Sequence, residues 1–284
     1  MSRSSDAPAT AGMTTRGPGR FVTFRSYLHR GQRVHWRARQ HRKGLLRHPD
    51  QEVVPFWHRP AYNWWTGLSF AIGACLFILG ATLSMLPRPP AAGTIAVIFF
   101  LGSIPFTIAG FLQNLQAANA TDFSTEAPRP PQRPALLGWR PHSLGWLSTI
   151  TQFAGTVFFN FNTFDGIHPA SEWYVQEVTI WLPGFLGSVL FLISGYLAFI
   201  ETSHGYWSWK PRDLDWKIVF INLWGCIFFM TSSIAAWIPS GQEPGWIPFV
   251  ANSHLWLGAV CFLVGAVLMM HESRQTETLG AQPA

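Results

Sequence analysis

The chain has 284 residues, of which 48% are hydrophobic and only 12% are charged. Soluble domains carry about twice that charged fraction, which excludes a protein that meets water over its whole length. The formal net charge is +6, and three cysteines are too few, and odd in number, for a disulfide framework.

The N-terminal segment, residues 1–62, is a basic arm. Residues 20–48 read RFVTFRSYLHRGQRVHWRARQHRKGLLRH and contain no acid. Basic residues beside a membrane bind anionic headgroups at about 1 kcal/mol each, so we predict an arm that is largely disordered or lies on lipid. Nucleic-acid binding would suit the charge, but no motif supports it. The residues expected at the lipid surface are Arg25, Arg30, Arg33, Arg37, Arg39, Arg42 and Lys43.

Six apolar runs follow the arm, each close to the length of about 20 residues that a helix needs to cross a bilayer. Helices are required because lipid offers no hydrogen-bond partner to a free backbone group. The third run is the weakest, because Ser, Thr, Gln and Asn interrupt it. The predicted spans are residues 64–86, 94–115, 143–162, 178–200, 216–238 and 249–270.

Lys and Arg are distributed asymmetrically about these spans. All but one of the 20, the exception being Arg88, fall on the side that carries both termini. Basic loops stay in the cytoplasm, so we predict a multi-pass protein of the cell inner (plasma) membrane with both termini cytoplasmic.

Matched residues recur along the spans. Spans two, four and six contain GSIPFTIAGFLQNLQ from Gly102, GSVLFLISGYLAFIE from Gly187 and GAVCFLVGAVLMMHE from Gly258. Spans one, three and five each carry a glycine, a phenylalanine four residues later and a tryptophan nine residues earlier. These triplets are Gly73, Phe77 and Trp64, then Gly155, Phe159 and Trp146, then Gly225, Phe229 and Trp216.

The pattern predicts an all-α integral membrane bundle of six transmembrane helices, built from three tandem two-helix hairpins. The predicted segments are the arm (1–62), hairpin 1 (63–116), a Pro- and Arg-containing linker (117–141), hairpin 2 (142–201), a cytoplasmic loop (202–215), hairpin 3 (216–272) and a disordered tail (273–284).

One face of the odd spans is polar in hairpins 2 and 3. The positions three before and seven after each glycine share its face of the helix. They are Gln152 and Asn162 in hairpin 2, and Asn222 and Ser232 in hairpin 3. Two interpretations stay open, namely hydrogen bonds between helices and a polar path for a solute. The repeated tryptophans lie about 180° away and are expected to anchor in the lipid interface.

The even spans end on polar residues, Gln116, Glu201 and Glu272, with His204 and His271 close to the two acids. ETSH is half of a carboxylate-bridged metal site, but the second half is missing, so we expect no metal there. We expect ordinary polar helix ends instead, with the acids paired to the basic residues nearest in sequence. Those are Lys210, Arg212 and Arg274.

The sequence carries no P-loop, no dinucleotide fingerprint, no H-E-x-x-H and no G-x-S-x-G, so we expect neither an enzyme nor a cofactor. Gly187-Ser188 followed by Phe191, and GAVCFLVGA at 258–266, resemble the YrhK-like family of small bacterial membrane proteins, most clearly over residues 216–270. The resemblance implies two-helix hairpin units and no established biochemical activity.

Two functions are compatible with these features, and the lack of charged residues in the middle of the spans favours the first. The first is a structural or interaction component of the bilayer, with the arm on anionic headgroups and with a protein partner or a second copy as its contact. The second is a channel or facilitator for a small solute, lined by the four polar residues of hairpins 2 and 3.

Overall fold

A computed structural model describes residues 13–29, 31–45, 54–125, 133–237 and 245–280, with side chains described as far as residue 276. Six long helices carry most of this chain. A short helix α5 (Trp173–Gln176) and a π-helical turn (Glu177–Trp181) lead directly into one of them. The long helices are α2 (Pro60–Ser84), α3 (Ala92–Ala118), α4 (Leu144–Asp165), α6 (Leu182–Ser203), α7 (Leu214–Ala235) and α8 (Ile247–Gly280).

The long helices form a closed ring in chain order, in which each packs mainly on its two neighbours and α8 returns to α2. Five stretches of the described chain are long and apolar enough to cross a membrane. The prediction of a helical membrane bundle is confirmed at that level. Helix α4, the third predicted span, does not reach the same hydropathy. The five stretches are Pro60–Ser84, Ala92–Ala118, Trp173–Ser203, Leu214–Ala235 and Ile247–Thr276.

Facing glycines bring the two helices of each hairpin together. In the second hairpin, a Cβ built on Gly155 would lie 3.1 Å from the carbonyl oxygen of Gly187, and the reverse distance is also 3.1 Å. Gly225 and Gly258 face each other in the same way, and a Cβ on Gly73 would lie 2.9 Å from the carbonyl oxygen of Gly102. Close backbone approach of this kind is the usual basis of helix packing in lipid.

The phenylalanines four residues after these glycines meet in the middle of the bundle. Each is at most 8% exposed, and their rings pack across the hairpins, as in Phe77 on Phe229 at 5.9 Å between centroids. We call this set the phenylalanine cluster. It consists of Phe77, Phe106, Phe159, Phe191, Phe229 and Phe262.

The described part of the arm is folded, which the sequence did not predict. Strands β1 (Thr14–Arg16), β2 (Phe24–His29) and β3 (Gln32–Arg37) form an antiparallel sheet in that order. Gly31, with φ of 80°, lies in the β2–β3 turn, where a positive φ favours glycine. The expectation of disorder does not hold for these residues, whereas a position at the membrane surface stays a prediction. The mostly helical chain carries a small sheet in addition.

Helix α1 (Ala38–Arg42) follows β3 and enters one end of the bundle. We call this end the basic end. It also holds the starts of α2, α4 and α7 and the ends of α3, α6 and α8. Helix α4 begins there because Ser143 accepts a hydrogen bond from the Trp146 amide, and α7 because Asp213 accepts one from the Asp215 amide.

Candidate binding cavity and its ion-pair cover

Three cations of the arm lie inside the basic end against three carboxylates of the helices. All six side chains belong to residues that are at most 7% exposed. Buried charges are costly unless they are paired, and here the positive and negative charges balance. We call the six residues the ion-pair cluster. They are Arg39, Arg42, Lys43, Glu201, Asp215 and Glu272.

Arg42 binds Glu201 at the end of α6 through two of its nitrogens. The Nη2–Oε2 distance is 2.7 Å and the Nε–Oε1 distance is 3.5 Å. Gly145, in the first turn of α4, leaves room for this pair. A Cβ there would lie 2.3 Å from Arg42 Nε and 2.8 Å from Glu201 Oε1. The fork of the guanidinium thus meets a carboxylate in the geometry that makes such pairs strong.

Arg39 and Lys43 share Glu272 of α8. Arg39 Nη1 donates to Glu272 Oε1 at 2.8 Å and also to Asp215 of α7. Lys43 Nζ lies 2.5 Å from Glu272 Oε2. Burial, together with the positive charge of Arg39, lowers the pKa of Lys43 from 10.5 to about 8. The arm is thereby tied to α6, α7 and α8 at once.

The first hairpin contributes a neutral version of the same arrangement. Gln116, at the end of α3, donates to the Trp57 carbonyl at 2.6 Å and to Asn63 Oδ1 at 3.0 Å. Asn63 in turn donates to the backbone carbonyl of Lys43 at 2.8 Å. Gln116, Glu201 and Glu272, which the sequence singled out as helix ends, therefore all lie around the segment from α1 to Lys43.

Two expectations from the sequence are wrong here. The acids at the helix ends do not pair with the basic residues nearest in sequence. Glu201 and Glu272 bind cations that lie 159 and 229 or more positions earlier in the chain. Arg39, Arg42 and Lys43 were expected on lipid headgroups, but their side chains are buried in ion pairs.

The other basic residues of the arm have different surroundings. Arg33 is exposed on β3, and Arg37 lies 3.7 Å from Asp213 with both side chains partly exposed. Arg25 lines a cleft beside the sheet. Arg30 lies outside the described residues.

The two histidines expected at the helix ends differ in their roles. His204 ends α6 with φ of 58°, and its Nδ1 lies 3.0 Å from Thr23 Oγ1. Its ring also contacts Phe24 at 5.3 Å between centroids, so His204 holds the sheet against the bundle. His271 is exposed and pairs with Gln275 on the next turn of α8.

A cavity of about 80 Å³, lined by both polar and apolar side chains, lies between the ion-pair cluster and the phenylalanine cluster. Gln152 and Asn222 line it, as does Gln113 of α3, which the sequence did not single out. Among the described residues, no hydrogen-bond partner is found for the side chains of Gln152 and Asn222. Gly265 makes room for Asn222, since a Cβ there would lie 2.1 Å from its Oδ1. We call this space the amide cavity.

The other two predicted path residues do not extend the amide cavity. Asn162 donates to the carbonyl of Ile180 at 2.8 Å, beside the π-helical turn, and Ser232 donates to the carbonyl of Ala251 at 2.8 Å. Both bonds join neighbouring helices. Each interpretation therefore applies at a different depth. Gln152 and Asn222 line a cavity near the basic end, whereas Asn162 and Ser232 form interhelical hydrogen bonds at the opposite end.

The tryptophans expected to face lipid are mostly covered. Trp146 and Trp216 are 4% and 2% exposed. Trp139 and Trp209, each seven residues earlier, pack on them with ring centroids 5.4 and 5.0 Å apart. The indole nitrogens donate to loop carbonyls, so these rings fix the loops of the basic end rather than the lipid interface.

Asn63 and Asp215 were also missed, although the repeat contains a signal for them. Asn63, Gly145 and Asp215 stand directly before the repeated tryptophans. Each lies ten residues before the matched glycine of its helix, which is Gly73 in α2, Gly155 in α4 and Gly225 in α7. They are thus equivalent positions, and each lies beside the polar residue that ends its partner helix.

The amide cavity suits a small uncharged solute. Amides both donate and accept hydrogen bonds, and the neutralised ion-pair cluster leaves no excess charge to attract an ion. Its volume has room for about five waters. Within the described residues, no group of three or more His, Cys, Asp and Glu side chains is placed to hold a metal ion.

Comparison with protein-family models, with curated proteins and with solved structures gave no match for this chain. The site must therefore be interpreted from its own chemistry.

Proposed function

We propose that the protein is a non-enzymatic facilitator for a small uncharged polar solute in a bacterial plasma membrane, held here in a closed state by its own N-terminal arm. The observation that carries the proposal is the amide cavity, in which Gln152 and Asn222 lie without partners among the described residues, covered at the basic end by Arg39, Arg42 and Lys43. These two side chains line a cavity inside the bundle, and no hydrogen bond among the described residues joins them to a neighbouring helix, which favours a functional role for them.

The proposal includes six spans, with α4 among them. Helix α4 runs antiparallel along α3, and polar contacts join them at three depths. Thr163 donates to Ser103 at 3.2 Å, Asn160 to Thr107 at 2.9 Å, and Thr149 to Asn114 at 3.4 Å. A helix matched to α3 over this length crosses the same thickness of bilayer, with part of its polar surface satisfied by its neighbour.

Three tandem hairpins account for the matched contacts. The facing glycines, the phenylalanine cluster and the polar residues around α1 all occupy equivalent positions in the three hairpins. The YrhK-like resemblance stays a prediction, and α7 with α8 would be its two-helix unit. The excess of Lys and Arg at the basic end supports a cytoplasmic location for that end and for both termini.

Cysteine accessibility in oriented vesicles tests the facilitator. Single cysteines would replace Gln152, Asn222, Asn162 or Ser232 in a chain lacking Cys75, Cys226 and Cys261. With the arm in place we expect slow labelling at all four sites by a small water-soluble thiol reagent. Arg42→Glu, which repels Glu201, should open the cover and expose positions 152 and 222 from the cytoplasmic face.

Arg33→Glu is the matched control, because it makes the same charge change on the exposed part of β3. It should leave all four sites slow. Continued protection of positions 152 and 222 in the Arg42→Glu chain would reject a water-accessible cavity.

That rejection would favour a second function, a structural or interaction component of the membrane. One observation supports it independently. The phenylalanine cluster fills the middle of the bundle, and Asn162 and Ser232 beyond it are committed to interhelical bonds. On that account the bundle is a rigid scaffold whose contacts are lipid headgroups, a protein partner or a second copy.

A further inference from the structure

A second cavity, separate from the amide cavity, lies between the N-terminal sheet and the segments on either side of residues 126–132. Its volume is about 330 Å³. Arg42 and Glu201 contribute to its wall. The rest comes from the sheet, from residues 20–23 before β2, from α1, from residues 120–123 and from residues 140–144. We call it the basic cleft. Its charged and imidazole-bearing lining residues are Arg20, Arg25, His41, Arg42, Asp122, Arg140, His142 and Glu201.

The basic cleft carries an excess of positive charge. Asp122 binds Arg140, and Glu201 binds Arg42, so both lining carboxylates are already paired. Arg20 and Arg25 have no carboxylate of the described chain within ion-pair distance. An anion entering the cleft would therefore meet two uncompensated guanidinium groups.

Arg25 is held in place for such a contact. Its Cζ lies 4.4 Å from the centre of the Phe123 ring, and Phe123 itself packs on Tyr27 and Trp36. Its Nη1 donates only to the sulfur of Met13 at 3.5 Å, a weak acceptor. Its Nε is buried and has no hydrogen-bond partner. Sulfur is a weak acceptor for a charged donor, and an oxyanion in the cleft would be a stronger acceptor for Arg25 Nη1.

We propose that the basic cleft binds a phosphate-bearing ligand. Phosphate oxygens, like those of a carboxylate, match the planar fork of arginine donors. The cleft adjoins Ser143 and Leu144 at the start of α4 and Glu201 near the end of α6, which is the depth of lipid headgroups in a spanning bundle. The phosphate belongs to a lipid headgroup or to a soluble phosphorylated compound. This inference does not depend on transport through the amide cavity.

Titration calorimetry on the full chain in a neutral, phosphate-free detergent tests the basic cleft. The two probes are short-chain dihexanoyl phosphatidylglycerol and inorganic phosphate. We expect saturable binding of at least one probe, weakened about tenfold or more in the Arg20→Gln/Arg25→Gln chain. Arg33→Gln, which removes the same charge from an exposed site on β3, should change the affinity less than about twofold.

The two probes separate the two sources of phosphate. Binding of phosphatidylglycerol alone assigns a lipid headgroup, and binding of inorganic phosphate with similar affinity assigns a soluble ligand. Arg20→Gln alone, at an exposed residue, keeps the test valid if loss of Arg25 disturbs the sheet, and it should still weaken binding. Failure of both probes to bind, or an equal loss in Arg33→Gln, would overturn the proposal, since only general surface charge would remain.

Discussion

At the scale of single residues, the Arg42–Glu201 pair shows how the arm is held. Taking two charges out of water costs several kcal/mol each, and their attraction offsets this only when the geometry is good. Two contacts between guanidinium and carboxylate, with Gly145 leaving the necessary space, meet that condition. Replacing both residues by apolar side chains should change the free energy of unfolding little. Removing one of them while the other stays should lower it strongly.

Removing one partner of this pair should therefore be far worse than removing both. We expect Arg42→Leu to lower the free energy of unfolding by about 3–5 kcal/mol, because Glu201 is left as an unpaired buried charge. Arg42→Leu/Glu201→Leu should recover most of that loss. Denaturant titration of the four chains of the cycle in detergent measures the coupling. A double variant whose loss equals the sum of the two single losses would show that the two side chains do not interact.

At the scale of elements, the N-terminal sheet depends on a contact with the end of α6. Thr23 and Phe24 both reach His204, whose neighbours Lys210 and Arg37 are positive and whose neighbour Asp213 is negative. Burial, with the charges of Lys210 and Arg37, lowers the pKa of His204 from 6.5 to about 4. The imidazole is therefore neutral at physiological pH while the sheet is docked.

Acidification should loosen this contact. Between about pH 6.5 and pH 4 the unfolded chain binds a proton at His204 and the folded chain does not, so the free energy of unfolding falls as the pH falls through that window. His204→Asn removes the titration, and asparagine tolerates the left-handed conformation at this helix end. Unfolding measured from pH 7 to pH 4.5 should show a smaller loss in the variant. Equal pH slopes in the two chains would contradict the assignment.

The elements were predictable from the sequence to different degrees. Hydropathy is local, so the apolar runs located all six long helices, and α4 was correctly the weakest of the runs. The sheet was missed because the positive charge of the arm was weighed above its hairpin pattern. Val34 and Trp36 alternate with basic residues after Gly31, a pattern typical of a strand that follows a turn.

At the scale of the whole molecule, the site combines parts that a sequence does not bring together by itself. The repeat predicts Gln116, Glu201 and Glu272 as the polar ends of their helices. It could not indicate that their common partner is the segment from Arg39 to Lys43, because contacts over 159 to 233 positions leave no local pattern. Helical geometry puts Gln152 and Asn222 on equivalent faces of α4 and α7, but only packing decides that a cavity lies between them.

The ring of helices also explains why the segment from Arg39 to Lys43 lies at the centre of the basic end. The ends of α3, α6 and α8 place Gln116, Glu201 and Glu272 around this segment. The neutral pair of the first hairpin binds a backbone carbonyl, and the charged residues of the other two bind side chains. One short helix can satisfy all three only from a position between them, which is also the mouth of the amide cavity.

Amine modification of the native chain in its membrane tests this arrangement most directly. The chain has three lysines, Lys43, Lys210 and Lys217, and peptide mass spectrometry distinguishes them. Lys43 is 3% exposed and Lys217 is exposed, so a water-soluble amine reagent should modify Lys217 and leave Lys43 intact until the bundle is unfolded in SDS. At neutral pH the lowered pKa leaves more of Lys43 as the reactive free amine in the folded protein, so its protection there would reflect burial alone. If Lys43 in the folded protein is modified as fast as Lys217, its buried position is contradicted. That result would favour an arm that lies on the membrane surface.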